Sequence, residues 1–125
     1  MGYTQPITQD EFKVLSGKGY KIQDRIGRTG VEAAYEANLR GEWGGQMLEV
    51  NAAGDVQRNL GEKSAVAGND LYLTIDLELQ KVAEKALSDK KAGAIVVLDA
   101  SNGAIRAMAS RPVFDPNFFS KLFTT

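Results

Sequence analysis

The amino-acid sequence predicts an α+β fold in which short helices are combined with antiparallel β-hairpins. Residues 46–60 and residues 94–109 each contain two apolar or alternating segments joined by turn residues, a pattern typical of hairpins. Two Thr-x-x-Glu spacings, beginning at Thr8 and Thr29, have the form of a helix capping box. We therefore expect helices and hairpins to follow one another along the chain, without an internal repeat.

The composition is that of an ordinary globular protein. The 125 residues are 43% hydrophobic and 25% charged, with a net charge of −1 at neutral pH. A net charge near zero without a basic run disfavours nucleic acid and anionic membrane surfaces as partners. Histidine and cysteine are absent from the sequence. Since the commonest metal ligand and all thiol chemistry are therefore missing, we expect neither a metal nor a cofactor.

The first segment of the chain contains a well-specified short helix. Residues 3–7 should be extended, because Pro6 lacks a backbone donor and disfavours helical angles in the residue before it. Thr8 and Glu11 then form the first capping box, which predicts a helix over about residues 9–16.

Residues 27–44 are the most densely specified part of the sequence, because cap, amphipathic helix and stop follow closely on one another. They come after residues 20–26, which are interpreted as a linker. Thr29 and Glu32 supply the second capping box, and Gly41 supplies the helix stop. The apolar positions recur at steps of three and four and predict a stripe that faces a core: Val31, Ala34, Tyr35 and Leu39. The polar side of this helix is expected to contain Glu32, Glu36 and Arg40.

The second half of the chain is predicted to combine a strand, a helix and a hairpin. Residues 61–69 are polar and contain glycine, and they form the candidate domain boundary. Residues 70–75 alternate as a strand does, and Asp76 caps a helix that begins at Leu77. The apolar stripe of this helix is Leu79, Val82, Ala83, Ala86 and Leu87. The continuous apolar run 94–98 is typical of a strand that is covered on both faces.

The motif in residues 27–44 resembles the signature of the membrane-proximal, non-catalytic region of class B penicillin-binding proteins. Its positions in this sequence are Gly27, Gly30, Glu32, Tyr35, Leu39, Arg40 and Gly41, followed by Gly44. Three later segments are similar to the same family in the same order: residues 48–60, 67–80 and 93–119. Since the similarity is collinear over nearly the whole chain, the sequence is identified as a member of the elongation type of this family.

This resemblance implies a division of the chain and a role for each part. Residues 1–63 would be the pedestal, residues 64–69 a linker, and residues 70–125 the incomplete start of the transpeptidase domain. The parent enzymes are anchored in the cytoplasmic membrane and cross-link peptidoglycan stem peptides on its outer side through an acyl-serine. We accordingly expect this chain to be a soluble piece of a longer protein. By the same resemblance, its partners would be the glycan polymerase of the elongation machinery and a rod-shape scaffold protein.

The catalytic motifs of these enzymes are not found in the sequence. Acyl-serine transfer of this type needs the motifs S-x-x-K, S-x-N and K-T-G. No S-x-N or K-T-G occurs, and Ser88 with Lys91 matches S-x-x-K only as text, at the end of a predicted helix. The triplet Arg28–Gly30 differs from K-T-G by one residue, but it leads into a helix. We therefore expect no catalytic residue within the chain and no reaction with β-lactams.

Several other candidate sites have a simple structural explanation. Gly27 and Gly30 have the G-x-x-G spacing of a nucleic-acid clamp, which the net charge of −1 disfavours. Glu32 and Glu36 resemble a carboxylate pair for hydrolysis, but carboxylates one helical turn apart are usually solvated or ion-paired. Trp43 lies beside three glycines and is as consistent with partner binding as with packing.

Two further expectations concern association and the class of the protein. The apolar hairpin 94–109 would expose strand edges in a chain that ends at Thr125, so we expect a homodimer, a strand swap or aggregation. The alternative to an enzyme fragment is a self-standing protein-binding module with the pedestal fold.

Overall fold

A computed structural model describes the backbone of residues 1–121 and the side chains of residues 1–119. The contacts within the chain divide it into two compact units. The first unit contains residues Met1–Leu71 together with the chain from Pro116 onward, and the second contains Tyr72–Asp115. Among the described residues, no helix is long and apolar enough to cross a membrane.

Short helices and strands alternate along the described chain. The strands are β1 (Thr4–Pro6), β2 (Arg25–Gly27), β3 (Gly45–Val50), β4 (Val56–Lys63), β5 (Gly93–Leu98) and β6 (Ile105–Arg111). The helices are α1 (Gln9–Leu15), α2 (Gly30–Ala34), α3 (Glu36–Leu39), α4 (Leu77–Ala86) and α5 (Phe118–Lys121). Within residues 1–121 the strands form three antiparallel pairs, β1 with β2, β3 with β4 and β5 with β6. The predicted α+β class is confirmed.

The helix α1 begins and ends as its sequence predicts. The Thr8 hydroxyl accepts a hydrogen bond from the Glu11 amide at 3.3 Å, and the Glu11 carboxylate accepts one from the Thr8 amide at 2.9 Å. This reciprocal pair is a capping box. A short 3₁₀ turn, Ser16–Lys18, extends the helix, and Gly19 closes the turn with a φ of 82°. That angle lies in the left-handed region, where glycine carries no steric penalty.

The predicted single helix after Thr29 is wrong in three respects. It is broken into α2 and α3 at Tyr35, whose φ of −115° and ψ of 22° are not helical. The Thr29 side chain makes no capping hydrogen bond, and the Glu32 carboxylate accepts from the Gly2 amide, so no capping box forms. Tyr35 is 47% exposed and Leu39 36% exposed, so the apolar stripe does not face a core. The helix ends at Leu39, and Gly41 follows it.

The predicted hairpin of β3 and β4 is confirmed, and β4 is longer than expected because it continues to Lys63. The ladder goes on beyond the strands, since Glu42 and Val66 exchange backbone hydrogen bonds of 2.8 and 3.0 Å. The Asn69 amide donates to the Asn38 carbonyl at 2.8 Å. Residues 64–69, which were expected to be a linker, are therefore held by backbone hydrogen bonds within the first unit.

In the second unit, α4 packs against the hairpin of β5 and β6. Asp76 caps the helix as predicted, because its Oδ1 accepts from the Glu78 and Leu79 amides at 3.0 Å each. The buried residues of the unit come from α4, the residue after it, and β6: Ala83, Leu87, Ala107 and Ala109. Ile95 and Val97 of β5 are packed against them.

Two predictions for the second unit are wrong, one for residues 70–75 and one for the apolar stripe of α4. Residues 70–75 do not form a strand; the Thr74 hydroxyl donates to the Ile105 carbonyl at 2.7 Å, and the Asp76 amide donates to the Arg106 carbonyl at 2.8 Å. One face of the strand β5 is exposed at Val96 within the described chain, which agrees with the expectation that the hairpin exposes apolar surface. Of the predicted apolar stripe of α4, only Ala83 and Leu87 are buried, and they pack against the hairpin. Leu79, Val82 and Ala86 are exposed. One helix on one face of a two-stranded sheet leaves the other face uncovered.

Candidate functional site

The polar side of the predicted helix forms a hydrogen-bonded network inside the first unit. Glu36 at the start of α3 connects two distant segments with its two carboxylate oxygens. Its Oε2 accepts from the Gly27 amide at 2.9 Å, and its Oε1 accepts from the Tyr20 hydroxyl at 3.4 Å. Both groups are part-buried. The Glu36 carboxylate therefore attaches both the end of β2 and the segment after α1 to the helix α3.

Arg40 completes this network at the other end of α3. Its guanidinium lies over the Tyr20 ring, with Cζ 3.5 Å from the ring centre. Its two terminal nitrogens donate to the Lys18 and Gly19 carbonyls at 3.1 and 3.3 Å. These carbonyls belong to the turn that follows α1, so Arg40 joins α3 to that turn. A cation–π contact of this kind contributes about 0.5–1 kcal/mol at an exposed site and more where water is excluded.

Tyr20 is the residue that sequence reasoning missed. It lies in the segment interpreted as a linker, and its partners are far along the chain, at Glu36 and Arg40. Burial raises the pKa of Tyr20, and the negative charge of Glu36 raises it further. The hydroxyl therefore stays protonated at neutral pH and remains a donor to Glu36. An isolated tyrosine after a glycine stop was the only signal in the sequence.

The glycines of the motif are explained by close approaches of the backbone. A Cβ on Gly27 would overlap the Glu32 carbonyl, so a side chain there would separate β2 from α2. A Cβ on Gly41 would overlap the Val66 carbonyl, which lies across the extended ladder. Gly30 has a φ of 62° at the start of α2. The motif therefore specifies how tightly the segments pack, and its carboxylates hold backbone amides.

An ion pair joins α1 to the pair of β1 and β2. The two terminal nitrogens of Arg28 donate to the two carboxylate oxygens of Glu11, the second of these bonds at 2.9 Å, and one of the nitrogens also donates to the Pro6 carbonyl at 2.9 Å. The hydrogen bond from Arg28 lowers the pKa of Glu11 from 4.5 to about 2, and the bond from the Thr8 amide adds to this effect. The same pairing raises the pKa of Arg28. A bidentate pair of this geometry is specific for arginine.

Trp43 is half-exposed beside this network. Its Nε1 donates to both oxygens of the Asp24 carboxylate at 2.9 and 3.1 Å, and the Lys21 Nζ lies 4.3 Å from the centre of the ring. The indole is therefore held in one orientation while 49% of the residue stays exposed. A fixed aromatic side chain at the surface is typical of protein-binding sites.

The indole borders a cleft of about 1420 Å³ in the first unit. The cleft is lined by α3, by the residues on both sides of Trp43, by the hairpin of β3 and β4, and by residues 66–69. Small-molecule sites usually enclose about 300–1,000 Å³. The cleft is larger than that, and its lining mixes alanine and glycine with side chains of both charges.

The described residues bring together no constellation for catalysis. Glu32 and Glu36 each accept from a backbone amide, which accounts for both carboxylates structurally. Ser88 lies in the turn after α4, where its amide donates to the Lys85 carbonyl at 3.1 Å. Within the described part of the chain, no group of three or more acidic, histidine or cysteine residues is placed to hold a metal ion.

The sequence and the fold match a known family. A model of the penicillin-binding protein dimerisation domain matches residues 1–73, and the chain belongs to that family. Its relatives include the peptidoglycan D,D-transpeptidases MrdA of Acinetobacter baumannii and Haemophilus influenzae. They are 40% identical over 119 residues and 45% identical over 123 residues, and each alignment covers 95% of this chain. The resemblance predicted from the sequence is confirmed.

Solved structures of the same class share the fold. One is a complex between penicillin-binding protein PBP2 and MreC from Helicobacter pylori, with a TM-score of 0.76 and 30% identity. The match covers 94% of this chain and 22% of the solved chain. Another is a peptidoglycan synthase complex that coordinates polymerization and crosslinking, with a TM-score of 0.74 and 37% identity. The match covers 94% of this chain and 23% of the solved chain. The chain spans about a fifth of the length of the relatives, 18% for the Acinetobacter protein and 19% for the Haemophilus protein.

We expect the contact between Arg40 and Tyr20 to stabilise the first unit. In a double-mutant cycle of Arg40→Ala and Tyr20→Leu, the coupling energy should be about 0.5–1 kcal/mol, because the guanidinium stacks on the ring. Urea unfolding followed by fluorescence measures it, since Trp43 is the single tryptophan and lies in this unit. The control is Arg58→Ala, which breaks an exposed ion pair with Glu49 and should cost less. Equal effects of the two arginine variants would contradict the role assigned to Arg40.

The pair of Glu11 and Arg28 should make this unit less stable at acidic pH. The pKa of Glu11 is about 2 in the folded chain against an ordinary 4.5, so the unfolded chain binds the proton first as the pH falls. The stabilisation is complete above about pH 4.5 and is lost as the pH falls through about 2. Urea midpoints at a series of pH values should therefore fall more steeply in the parent chain than in Glu11→Gln. Glu62→Gln, on the exposed hairpin, is the control and should keep the parent slope; parallel slopes for Glu11→Gln would show that the pair contributes nothing.

Proposed function

We propose that this chain is a non-catalytic part of a peptidoglycan D,D-transpeptidase of cell-wall elongation. The observation that carries the proposal is the collinear similarity to MrdA over 95% of the chain, together with a shared fold. In this proposal the whole protein binds penicillin and cross-links stem peptides through an acyl-serine. The part described here positions the catalytic domain and contacts partner proteins.

The proposed division of labour follows the predicted domains. Residues 1–63 form the pedestal, residues 64–69 a linker, and residues 70–125 the start of the transpeptidase domain. The family model, which ends at residue 73, and the boundary between the compact units after Leu71 support a division near this point. Residues 122–125 of the last segment lie outside the described residues.

The proposed partners are a glycan polymerase and a rod-shape scaffold protein. One similar structure is a PBP2 bound to MreC, and another belongs to a synthase complex that couples polymerization to crosslinking. In this chain, Trp43 and the cleft beside it offer a rigid aromatic anchor next to a groove. We propose that the parent is anchored in the cytoplasmic membrane with this region on the periplasmic side, where both partners would meet it.

The proposal predicts that this chain does not react with β-lactams. Acylation needs a serine with a lysine one helical turn away and donors for the oxyanion, and Ser88 lies in a turn without such a setting. After incubation with a fluorescent penicillin, intact-mass spectrometry should show no adduct. The full-length Haemophilus MrdA, treated in parallel, should be labelled. A stoichiometric adduct on Ser88 would overturn the assignment of a non-catalytic role.

Partner binding should depend on Trp43. Trp43→Ala is expected to weaken binding of purified MreC by about tenfold or more, because a fixed, half-exposed indole has the character of a binding hot spot. Calorimetric titration measures the affinity, and circular dichroism checks that the variant is folded. Tyr72→Ala is the matched control, since Tyr72 is an aromatic residue that is 91% exposed and belongs to the second unit. If both variants bind like the parent, Trp43 is not part of the contact surface.

A further inference from the structure

The turn between β5 and β6 contains a chemically reactive pair of residues. Asn102 is the only asparagine of the sequence that is followed by a glycine, Gly103, and both residues are exposed. Asparagine is among the thermolabile residues of proteins. In an Asn-Gly pair the backbone nitrogen of the glycine can attack the side-chain amide carbon of the asparagine, because the glycine has no side chain to hinder the approach.

The turn needs both residues of this pair. Gly103 has a φ of 74°, in the left-handed region that favours glycine. The Asn102 Oδ1 accepts a hydrogen bond from the Ala104 amide at 2.9 Å, a local contact that asparagine makes readily in turns. The dipeptide that shapes the turn therefore also carries the reactive amide.

The closed turn restrains both reacting groups. The Gly103 amide donates to the Asp99 carbonyl at 2.7 Å, so its proton is held in a hydrogen bond and its nitrogen is not free to attack. The side-chain carbonyl of Asn102 is held in place by the Ala104 amide. A reaction between the two groups therefore requires the turn to open first.

The side chain of Asp99 keeps the turn closed. Its Oδ1 accepts from the amide and the hydroxyl of Ser101 at 3.0 and 2.6 Å, and its Oδ2 accepts from a terminal nitrogen of Arg106 at 3.0 Å. The hydrogen bonds from Ser101, together with that from Arg106, lower the pKa of Asp99 from 3.8 to about 2. The carboxylate is therefore charged at neutral and alkaline pH, where an amide proton is lost most readily. These contacts all lie within residues 99–106, so the turn is closed by its own residues.

We propose that Asn102 is a site of spontaneous deamidation, whose rate is set by the opening of this turn. When the turn opens, the Gly103 nitrogen loses its proton to hydroxide and forms a bond to the side-chain carbon of Asn102. The bond from that carbon to the amide nitrogen breaks, and the nitrogen takes a proton from water and leaves as ammonia. The cyclic imide then takes up one water molecule and opens to aspartate or isoaspartate.

Either product opposes renewed closure of the turn. Isoaspartate lengthens the main chain by one carbon, inside the ring that the hydrogen bond from Gly103 to Asp99 closes. Aspartate keeps the length of the chain but adds a second carboxylate to the turn that already contains Asp99, and like charges repel each other. Deamidation is therefore a one-way change that loosens the hairpin.

The proposal is tested on the parent chain at mildly alkaline pH, with peptide mapping by mass spectrometry. Asn102 should be modified, and about tenfold or more slowly in the folded chain than in urea, because the closed turn must open first. Asn51 is the internal control. It is exposed in the turn of the other hairpin and its Oδ1 accepts from the Ala53 amide at 3.0 Å, but alanine follows it, so it should stay unmodified. Equal rates in the folded and unfolded chain, or modification of Asn51 as fast as of Asn102, would overturn the proposal.

A pair of variants tests the role of Asp99. Asp99→Ala should speed deamidation of the folded chain by about fivefold or more, because the hydrogen bonds that close the turn are lost. It should have no effect in urea. Asp55→Ala is the matched control, since it removes a carboxylate from the turn of the other hairpin, where Asp55 accepts from the Asn51 side chain at 3.2 Å. It should leave the rate at Asn102 unchanged, and equal rates in the two variants would contradict control by Asp99.

Hydrogen exchange on the unmodified chain provides a readout that needs no variant. Over a series of urea concentrations below the unfolding transition, the deamidation rate should rise in proportion to the exchange rate of the Gly103 amide. Both processes require the bond from this amide to the Asp99 carbonyl to break. Deamidation that accelerates while exchange at Gly103 stays constant would exclude control by this turn.

Discussion

The first unit depends on the stacking of Arg40 over Tyr20 and on the carboxylate of Glu36 beside them. These three side chains connect the turn after α1, the end of β2 and the helix α3, which are separated along the chain and individually short. Helices of four or five residues are not stable alone, since nucleation is costly and few bonds repay it. Charged hydrogen bonds to backbone groups therefore do much of what an apolar core does in a larger domain.

This arrangement has a consequence for the surface. Because the polar side of α2 and α3 holds the backbone of neighbouring segments, the apolar side is left facing outward, with Tyr35 and Leu39 partly exposed. Trp43 is exposed as well, and Asp24 fixes its orientation. A rigid scaffold with outward aromatic and aliphatic side chains is what a protein-contact region needs. Residues 27–44 thus build the scaffold, and the exposed side chains around them face solvent.

The second unit follows a different principle. Its small core lies between α4 and one face of the hairpin, where alanines allow the helix to approach closely. The other face remains open in the described chain, while side-chain and backbone groups from residues 74–80 close the outer edge of β6. Gln80 pairs with Met108 as a strand residue would and leaves no signal in the hydrophobic pattern, so this contact was not predicted from the sequence.

The sequence by itself determined the features that rest on neighbouring residues: the capping box at Thr8, the cap at Asp76 and both hairpins. These signals are local, because donor and acceptor lie within a few residues of each other. Only the tertiary structure decided that Glu36 and Arg40 face inward, that Tyr20 is their partner, and that residues 70–75 do not form a strand. A helical period shows which residues share a face, but the direction of that face depends on hydrogen-bond partners about twenty residues away. For a polar face, those partners can outweigh the burial of a few apolar side chains.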